Sequence, residues 1–330
     1  MHSENSKILQ TENGMGRSRV MNVISSSMVL IALLGIIIFF GIMNKNFFAA
    51  NNFISIGQTL SVVGVICIGQ SLCLLTGGFD LSVGYLSSFV GMVLASLIKY
   101  TEIPYALGVI LVLGIGLGCG LVHGLVITKL KVNAFITTLG FMTIYQGLVY
   151  VVSKGSHVLL NDEVFSFIGT KRIGGLPISI IILLTLFLVF FLILRYTSFG
   201  RRIYCVGGNP KAAKVSGINV DRVTMNAYML SGLMAAVAGV ILTSRMGAAQ
   251  ITAGATYALD SVAGCVLGGI LLTGGKGNIL YSLAGMAIIV ILQNGLIMIQ
   301  LPSYYQYVAT GAVLIFAVTL QNLKAIRNKL

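Results

Sequence analysis

The chain has 330 residues, of which 9% are Asp, Glu, Lys or Arg and 57% are hydrophobic, and its mean hydropathy is +0.98. A soluble domain carries about 25% charged residues, so this composition excludes a soluble fold, which has nowhere to hide so much apolar surface. The net charge of +13 does not indicate nucleic acid either, because the basic residues fall in short gaps between apolar runs rather than on one face of a domain.

Residues 1–21 carry Glu4, Lys7, Glu12, Arg17 and Arg19. No apolar core follows a short basic start, as a cleaved signal would require, and a cytoplasmic N-terminal tail is expected. A window of about 19 residues then finds ten apolar runs, at 22–43, 53–76, 81–98, 104–127, 134–152, 177–194, 223–243, 257–273, 278–298 and 303–322. Each is long enough for a helix that pairs its own backbone polar groups across a bilayer. The expected fold is all-α: a polytopic transmembrane bundle of about 10 spans, with a membrane-spanning domain over 22–323 and a short tail at 324–330.

Basic residues orient the spans. With the N-terminus inside, the inner segments hold 15 of the 21 Lys and Arg, three in 1–21, two at Lys129 and Lys131, six in 195–222, Lys276, and three in the tail, and the outer segments hold the other 6. Both termini are therefore expected to be cytoplasmic.

In the second run, Leu74-Leu75-Thr76-Gly77-Gly78 is echoed by Leu271-Leu272-Thr273-Gly274-Gly275, and Ser61-Val62-Val63-Gly64 by Ser261-Val262-Ala263-Gly264. Such echoes fit an internal repeat, with sites at its interface, or chance and convergent packing. Gly77 and Gly78 break the helix before Asp80 and Ser82. Asp80 could cap the following helix or line a pathway, and Asp260 raises the same question, because charge at membrane depth is costly and faces the bundle interior.

The fourth run has overlapping G-x-x-x-G spacings at Gly114, Gly116, Gly118, Gly120 and Gly124, which predict close helix packing. Neutral polar side chains recur at Gln58, Thr59 and Gln70, at Thr138, Tyr145 and Gln146, and at Gln293 and Asn294. They could line a path for an uncharged polar solute or bond neighbouring spans together. The outer connection 153–176, with Lys154, Asp162, Glu163, Lys171 and Arg172, reads as a mixed-charge surface open to a soluble partner or to solvent alone. Tyr304, Tyr305 and Tyr307 fit an interfacial aromatic belt.

The inner segment 195–222 spells a miniature helix. Asn209 is a good N-cap, Pro210 suits the first helical position, Ala212 and Ala213 favour helix, and Gly217 can end it. Two turns are marginal alone, so the helix needs bracing, either in the groove of a soluble partner or on the headgroups through its Lys and Arg.

Nothing in the sequence suggests catalysis. The cysteines Cys67, Cys73, Cys119, Cys205 and Cys265 lack metal-site spacing, and His2, His123 and His157 are scattered, so no metal is expected. A phosphate-binding loop ending at Lys276 would need Gly at Ile270 and Ser or Thr at Gly277. The chain is expected to be a transporter subunit without its own nucleotide site, any ATP being hydrolysed by a partner. A secondary transporter coupling to H⁺ or Na⁺ through Asp80 or Asp260 is the alternative.

Four stretches together carry a family resemblance: Thr76-Gly77-Gly78-Phe79-Asp80-Leu81-Ser82-Val83-Gly84, the run from Thr138 to Leu148, the loop from Phe199-Gly200-Arg201-Arg202 to Gly217-Ile218, and the run from Leu259 to Gly269. From about residue 22 onward the sequence resembles the ribose-type branch of bacterial ABC importer permeases, within the branched-chain amino acid/ribose-type superfamily. Family members commonly carry Ile in place of Phe79 and Ala in place of Cys205, differences that bear on the solute rather than on membership.

The resemblance implies a multi-pass protein of the bacterial inner membrane that works as a pair of permeases, with a second copy or a paralogue, surrounded by lipid. It implies a cytoplasmic ABC ATPase, which holds the ATP and Mg and docks at 209–217, and an extracytoplasmic sugar-binding protein. The branch carries pentoses, hexoses, galactosides and a furanosyl signalling molecule.

Overall fold

The structure is a computed structural model that describes residues 29–101, 103–160, 163–302 and 304–327, without the side chains of 163–164 and 320–327. The expected tail at 1–21, the first residues of the 22–43 run and the last three residues of the chain lie outside the described residues.

The chain is a helix bundle, as its composition requires. In order it forms α1 (Val29–Met43), a 3-10 turn (Lys45–Phe48), α2 (Ala50–Leu75), α3 (Val83–Thr101), α4 (Tyr105–Thr128) and α5 (Ala134–Ser153). A short connection of β1 (Val158–Leu159), α6 (Glu163–Thr170), β2 (Arg172–Ile173) and β3 (Leu176–Pro177) follows. Then come α7 (Ile178–Tyr196), α8 (Ser198–Gly208), α9 (Pro210–Val215), α10 (Val220–Met246), β4 (Ala248–Ala249), α11 (Tyr257–Leu267), α12 (Ile279–Met298) and α13 (Tyr304–Arg327). Seven of these, α2 to α5, α7, α10 and α12, are long and apolar enough to cross a membrane.

Two helices form the centre. The most apolar stretch of α2 is 83% buried and that of α10 is 78% buried, against 22% for α5 and 28% for α7. Small residues explain this placement. Gly116 of α4 and Gly232 of α10 pack so closely that a Cβ on Gly232 would stand 2.3 Å from the Gly116 carbonyl oxygen, and one on Gly120 the same distance from that of Tyr228. Helices approach so nearly only where side chains are missing. Of the five glycines in the G-x-x-x-G overlap, Gly116, Gly120 and Gly124 form this seam, while Gly114 and Gly118 face open space.

The tie points alternate along the chain as the charge pattern requires. At one end of the bundle Lys131 Nζ lies 2.9 Å from Asp221 Oδ1, joining two segments assigned to the inner side. At the other, Asn44 Nδ2 donates to the Met298 carbonyl at 2.7 Å, and β1 pairs antiparallel with β4, Val158 opposite Ala249.

The structure adds detail at three places. The run 257–273 is not one span: α11 has 11 residues, about 16 Å at the α-helical rise, half of the roughly 30 Å hydrocarbon thickness. The chain leaves it through Gly269, Gly274, Gly275 and Gly277, all at positive φ, a break that a hydropathy window averages away. The connection 153–176 is a folded cap: Gly174 and Gly175, both at positive φ, turn the β2–β3 hairpin, and Ser244 Oγ accepts from the Gly169 amide at 2.9 Å and donates to the Phe165 carbonyl at 2.6 Å. α13 runs on to Arg327, so the first residues of the expected tail, 324–327, are helical.

Candidate functional site

The segment after α7 holds two helices, one more than expected. The Thr197 hydroxyl accepts from the Gly200 amide at 3.3 Å and starts α8. Gly200 permits the corner, since a Cβ there would meet the Leu194 carbonyl oxygen at 2.2 Å. α8 turns Ile203 and Val206 inward and leaves Arg201 and Arg202 in solvent, an amphipathic pattern hidden by its glycines and arginines.

The miniature helix α9 forms as its caps predict. Asn209 Oδ1 accepts from the Ala212 amide at 3.1 Å, and Pro210 stands at the first position. At the other end, Gly217 has φ +81, its amide donates to the Lys214 carbonyl at 3.1 Å, and the Ile218 amide donates to that of Ala213 at 3.0 Å. These two bonds are the Schellman arrangement. Ala213 is buried and roots the helix, whereas Ala212 is exposed. Sequence reasoning missed Val215, which is 91% exposed, directly after the exposed Lys214 and one turn beyond the exposed Lys211. Val215 thus forms an apolar tip on a capped helix whose other exposed side chains include two lysines.

Asp80 lies in the break between α2 and α3 and is fully buried. Its Oδ1 accepts from the Ser82 amide at 3.1 Å and the Ser82 hydroxyl at 2.6 Å, and its Oδ2 accepts from Ser231 of α10 at 2.7 Å. Beside it, Tyr228 donates to the Phe79 carbonyl at 2.8 Å, and Gly78 leaves the space in which that phenol sits. The carboxylate therefore pins the start of α3 to the central helix.

Asp260 is in the first turn of α11, where the helix dipole favours an anion. Gln293 Nε2 lies 3.4 Å from its Oδ1 and 3.3 Å from Thr310 Oγ1, a polar thread through α11, α12 and α13. Asn294 bonds away from this thread, to Asn52 of α2 at 3.0 Å.

The remaining candidates are dispersed. Gln58 donates to the Gly169 carbonyl at 3.1 Å, and Thr59 and Thr138 bond back to their own helices. Tyr145 Oη lies 2.7 Å from Nε2 of buried His123. Gln146 is half-buried on α5. Gln70 differs from all of these: it is completely buried on α2 and neither amide atom has a hydrogen-bond partner. A buried amide in that state is costly unless something binds to it.

The break after α11 meets the break after α2. The Gly275 amide donates to the Leu75 carbonyl at 3.0 Å, and Tyr204 of α8 donates its hydroxyl to the Gly277 carbonyl at 3.1 Å. Burial pushes the Tyr204 phenol above its ordinary pKa, so it stays a proton donor. The two Leu-Leu-Thr-Gly-Gly echoes thus touch in space, although Leu74 and Leu75 end a helix while Leu271 and Leu272 follow one.

Comparison with known proteins places the chain. Residues 52–318 match the family model described as branched-chain amino acid transport system / permease component. The chain is 40% identical to the ribose import permease protein RbsC of Escherichia coli K12 over 299 residues, covering 89% of this chain and 93% of that one. It is 38% identical to the L-arabinose transport system permease protein AraH of Escherichia coli K12, over 84% of this chain and 85% of the other. With the galactose/methyl galactoside import permease protein MglC of the same organism, identity is 36% over 91% of this chain and 94% of the relative. No solved structure matches the chain.

Proposed function

For this chain, which belongs to the branched-chain amino acid transport system / permease component family, we propose a role as the membrane-spanning subunit of an ATP-binding-cassette importer that moves a sugar or a similar neutral polar solute inward. It is a multi-pass protein of the bacterial inner membrane and a transport subunit rather than an enzyme. The relatives named for ribose, L-arabinose and galactose support a sugar as the cargo.

The observation that carries the mechanism is α9, capped at both ends, rooted by Ala213 and tipped by exposed Val215. Such a helix fits the groove of a soluble ATPase, which would hold ATP and Mg while this chain holds neither. On the opposite end, the cap of β1, α6 and the β2–β3 hairpin presents Lys154, Lys171 and Arg172 to an extracytoplasmic binding protein. A second copy or a paralogue completes the path, and lipid covers the apolar faces of α4, α5 and α7. No bond in the solute changes; Gln70, with its free amide, is the pathway candidate best supported by the geometry, and Asp80 is better supported as an anchor than as a coupling acid.

Purification of the tagged chain from its own membranes in mild detergent tests this reading. A stoichiometric ATPase and a sugar-binding protein are expected by mass spectrometry. A chain that emerges alone from several detergents, with uptake that survives ATP depletion and collapses with the ion gradient, overturns it.

A further inference from the structure

At one end of the bundle, three backbone segments meet with no side chains between them. A Cβ on Gly207, at the end of α8, would stand 1.8 Å from the Leu75 carbonyl oxygen and 2.5 Å from the Gly275 nitrogen. A Cβ on Gly274 would stand 2.7 Å from the Gly77 nitrogen and 3.1 Å from Gly207 Cα. Leu75 closes α2, Gly77 lies in the break that leads to Asp80, and Gly274 and Gly275 lie in the break that follows α11. The Gly275 amide satisfies the Leu75 carbonyl, one of the acceptors that a helix end leaves open. Tyr204, one turn before Gly207, holds the second break through the Gly277 carbonyl.

α8 therefore touches both broken segments by backbone, and it runs without a spacer into Asn209 and α9. Side-chain layers can absorb a displacement by changing rotamer, whereas close-packed main chain passes it on. Gly207 faces the carbonyl and amide of two other segments, and no trimming of a neighbouring side chain can make room for a methyl group there.

We propose that Gly207 and Tyr204 are positioning residues for transport, forming with Leu75, Gly77, Gly274 and Gly275 a glycine junction that carries movement of α9 to the α2–α3 and α11–α12 breaks together. The inference rests on the reading of α9 as the ATPase contact and adds the route inward from it. It gives the echoed glycine pairs one purpose: each break must be narrow enough for α8 to touch both.

The test uses the intact complex of permease, ATPase and binding protein in liposomes, and reads solute moved per ATP hydrolysed. Gly207→Ala is compared with Gly208→Ala, its neighbour, whose Cβ meets nothing within 4 Å. Gly207→Ala is expected to keep the subunits together and ATP hydrolysis running while the ratio falls several-fold, and Gly208→Ala to match the wild type. A wild-type ratio in Gly207→Ala overturns the junction and leaves the ATPase reading standing; a wild-type complex with no ATP-driven uptake removes both. If Gly207→Ala does not assemble, Tyr204→Phe decides, because it removes one hydroxyl and no packing: a lowered ratio with unchanged assembly supports the junction, and a wild-type ratio overturns it.

Discussion

Ser231 donates its hydroxyl to Asp80 Oδ2 at 2.7 Å, a buried bond between residues 151 positions apart that fixes the α2–α3 break to the central helix. The bond gives a buried carboxyl group at membrane depth protein partners on both oxygens, the Ser82 amide and hydroxyl on one and the Ser231 hydroxyl on the other.

Asp80→Asn keeps an acceptor for the Ser82 amide and a polar partner for Ser231, so ATP-driven uptake is expected to persist. Asp80→Ala leaves the Ser82 amide and two hydroxyls unpaired, at about 1–3 kcal/mol for each buried group. Thermal unfolding in detergent should show a clearly lowered midpoint for Asp80→Ala and a small shift for Asp80→Asn. Loss of uptake in a well-folded Asp80→Asn protein would instead make the acid part of the pathway.

The seam between α4 and α10 makes a paired prediction. Gly120→Ala drives a methyl group against the Tyr228 carbonyl, whereas Gly118→Ala places one in open space. Overpacking of this kind costs about 1–3 kcal/mol. The Gly120→Ala protein should unfold at lower temperature or yield less folded material, and Gly118→Ala should be indistinguishable from the parent chain.

These pairs mark how far the sequence could be read. Apolar runs were sufficient for the helix bundle, because the bilayer imposes a length rule on every span, while the assignment of its ends to the two faces rests on the alternation of Lys and Arg alone. The caps of α9 were legible one by one, since Asn209, Pro210 and Gly217 act locally. The run 257–273 stays apolar on average because Ile270, Leu271 and Leu272 offset its near-neutral glycines, and only backbone angles such as the positive φ of Gly269 show that α11 stops halfway. The exposure of Val215 and the meeting of Leu75 with Gly275 depend on partners about 200 residues away or on none, and no local pattern encodes them.

Val215 supplies the contact prediction. Burying a valine side chain in a partner is worth about 1.5–3 kcal/mol, and each 1.4 kcal/mol is tenfold in affinity. Val215→Asp should weaken ATPase capture by tenfold or more in a pull-down, with Lys211→Ala and Lys214→Ala mainly changing its salt dependence. Equal capture by Val215→Asp and the parent chain would move the docking surface away from α9.

The Lys131–Asp221 pair is predicted to matter little. Both side chains are well exposed, and exposed pairs contribute about 0–1 kcal/mol. Lys131→Ala and Asp221→Ala should each leave the unfolding midpoint nearly unchanged, and uptake should stay at the parental level.

Cysteine labelling tests the sidedness and the burial together. Cys205 is exposed on α8, while Cys67, Cys73 and Cys265 are completely buried, the Sγ atoms of Cys67 and Cys265 lying 3.4 Å apart as free thiols. A maleimide needs access to a thiolate, so a membrane-impermeant reagent should reach Cys205 in the folded protein and the three buried thiols only after unfolding. The charge pattern puts Cys205 on the cytoplasmic face, with six basic residues in its segment. Inside-out vesicles should therefore label it and right-side-out vesicles should not, a difference that Cys205→Ala abolishes. Labelling of Cys205 from the outer face would invert the bundle, and with it the end at which α9 can meet a cytoplasmic partner.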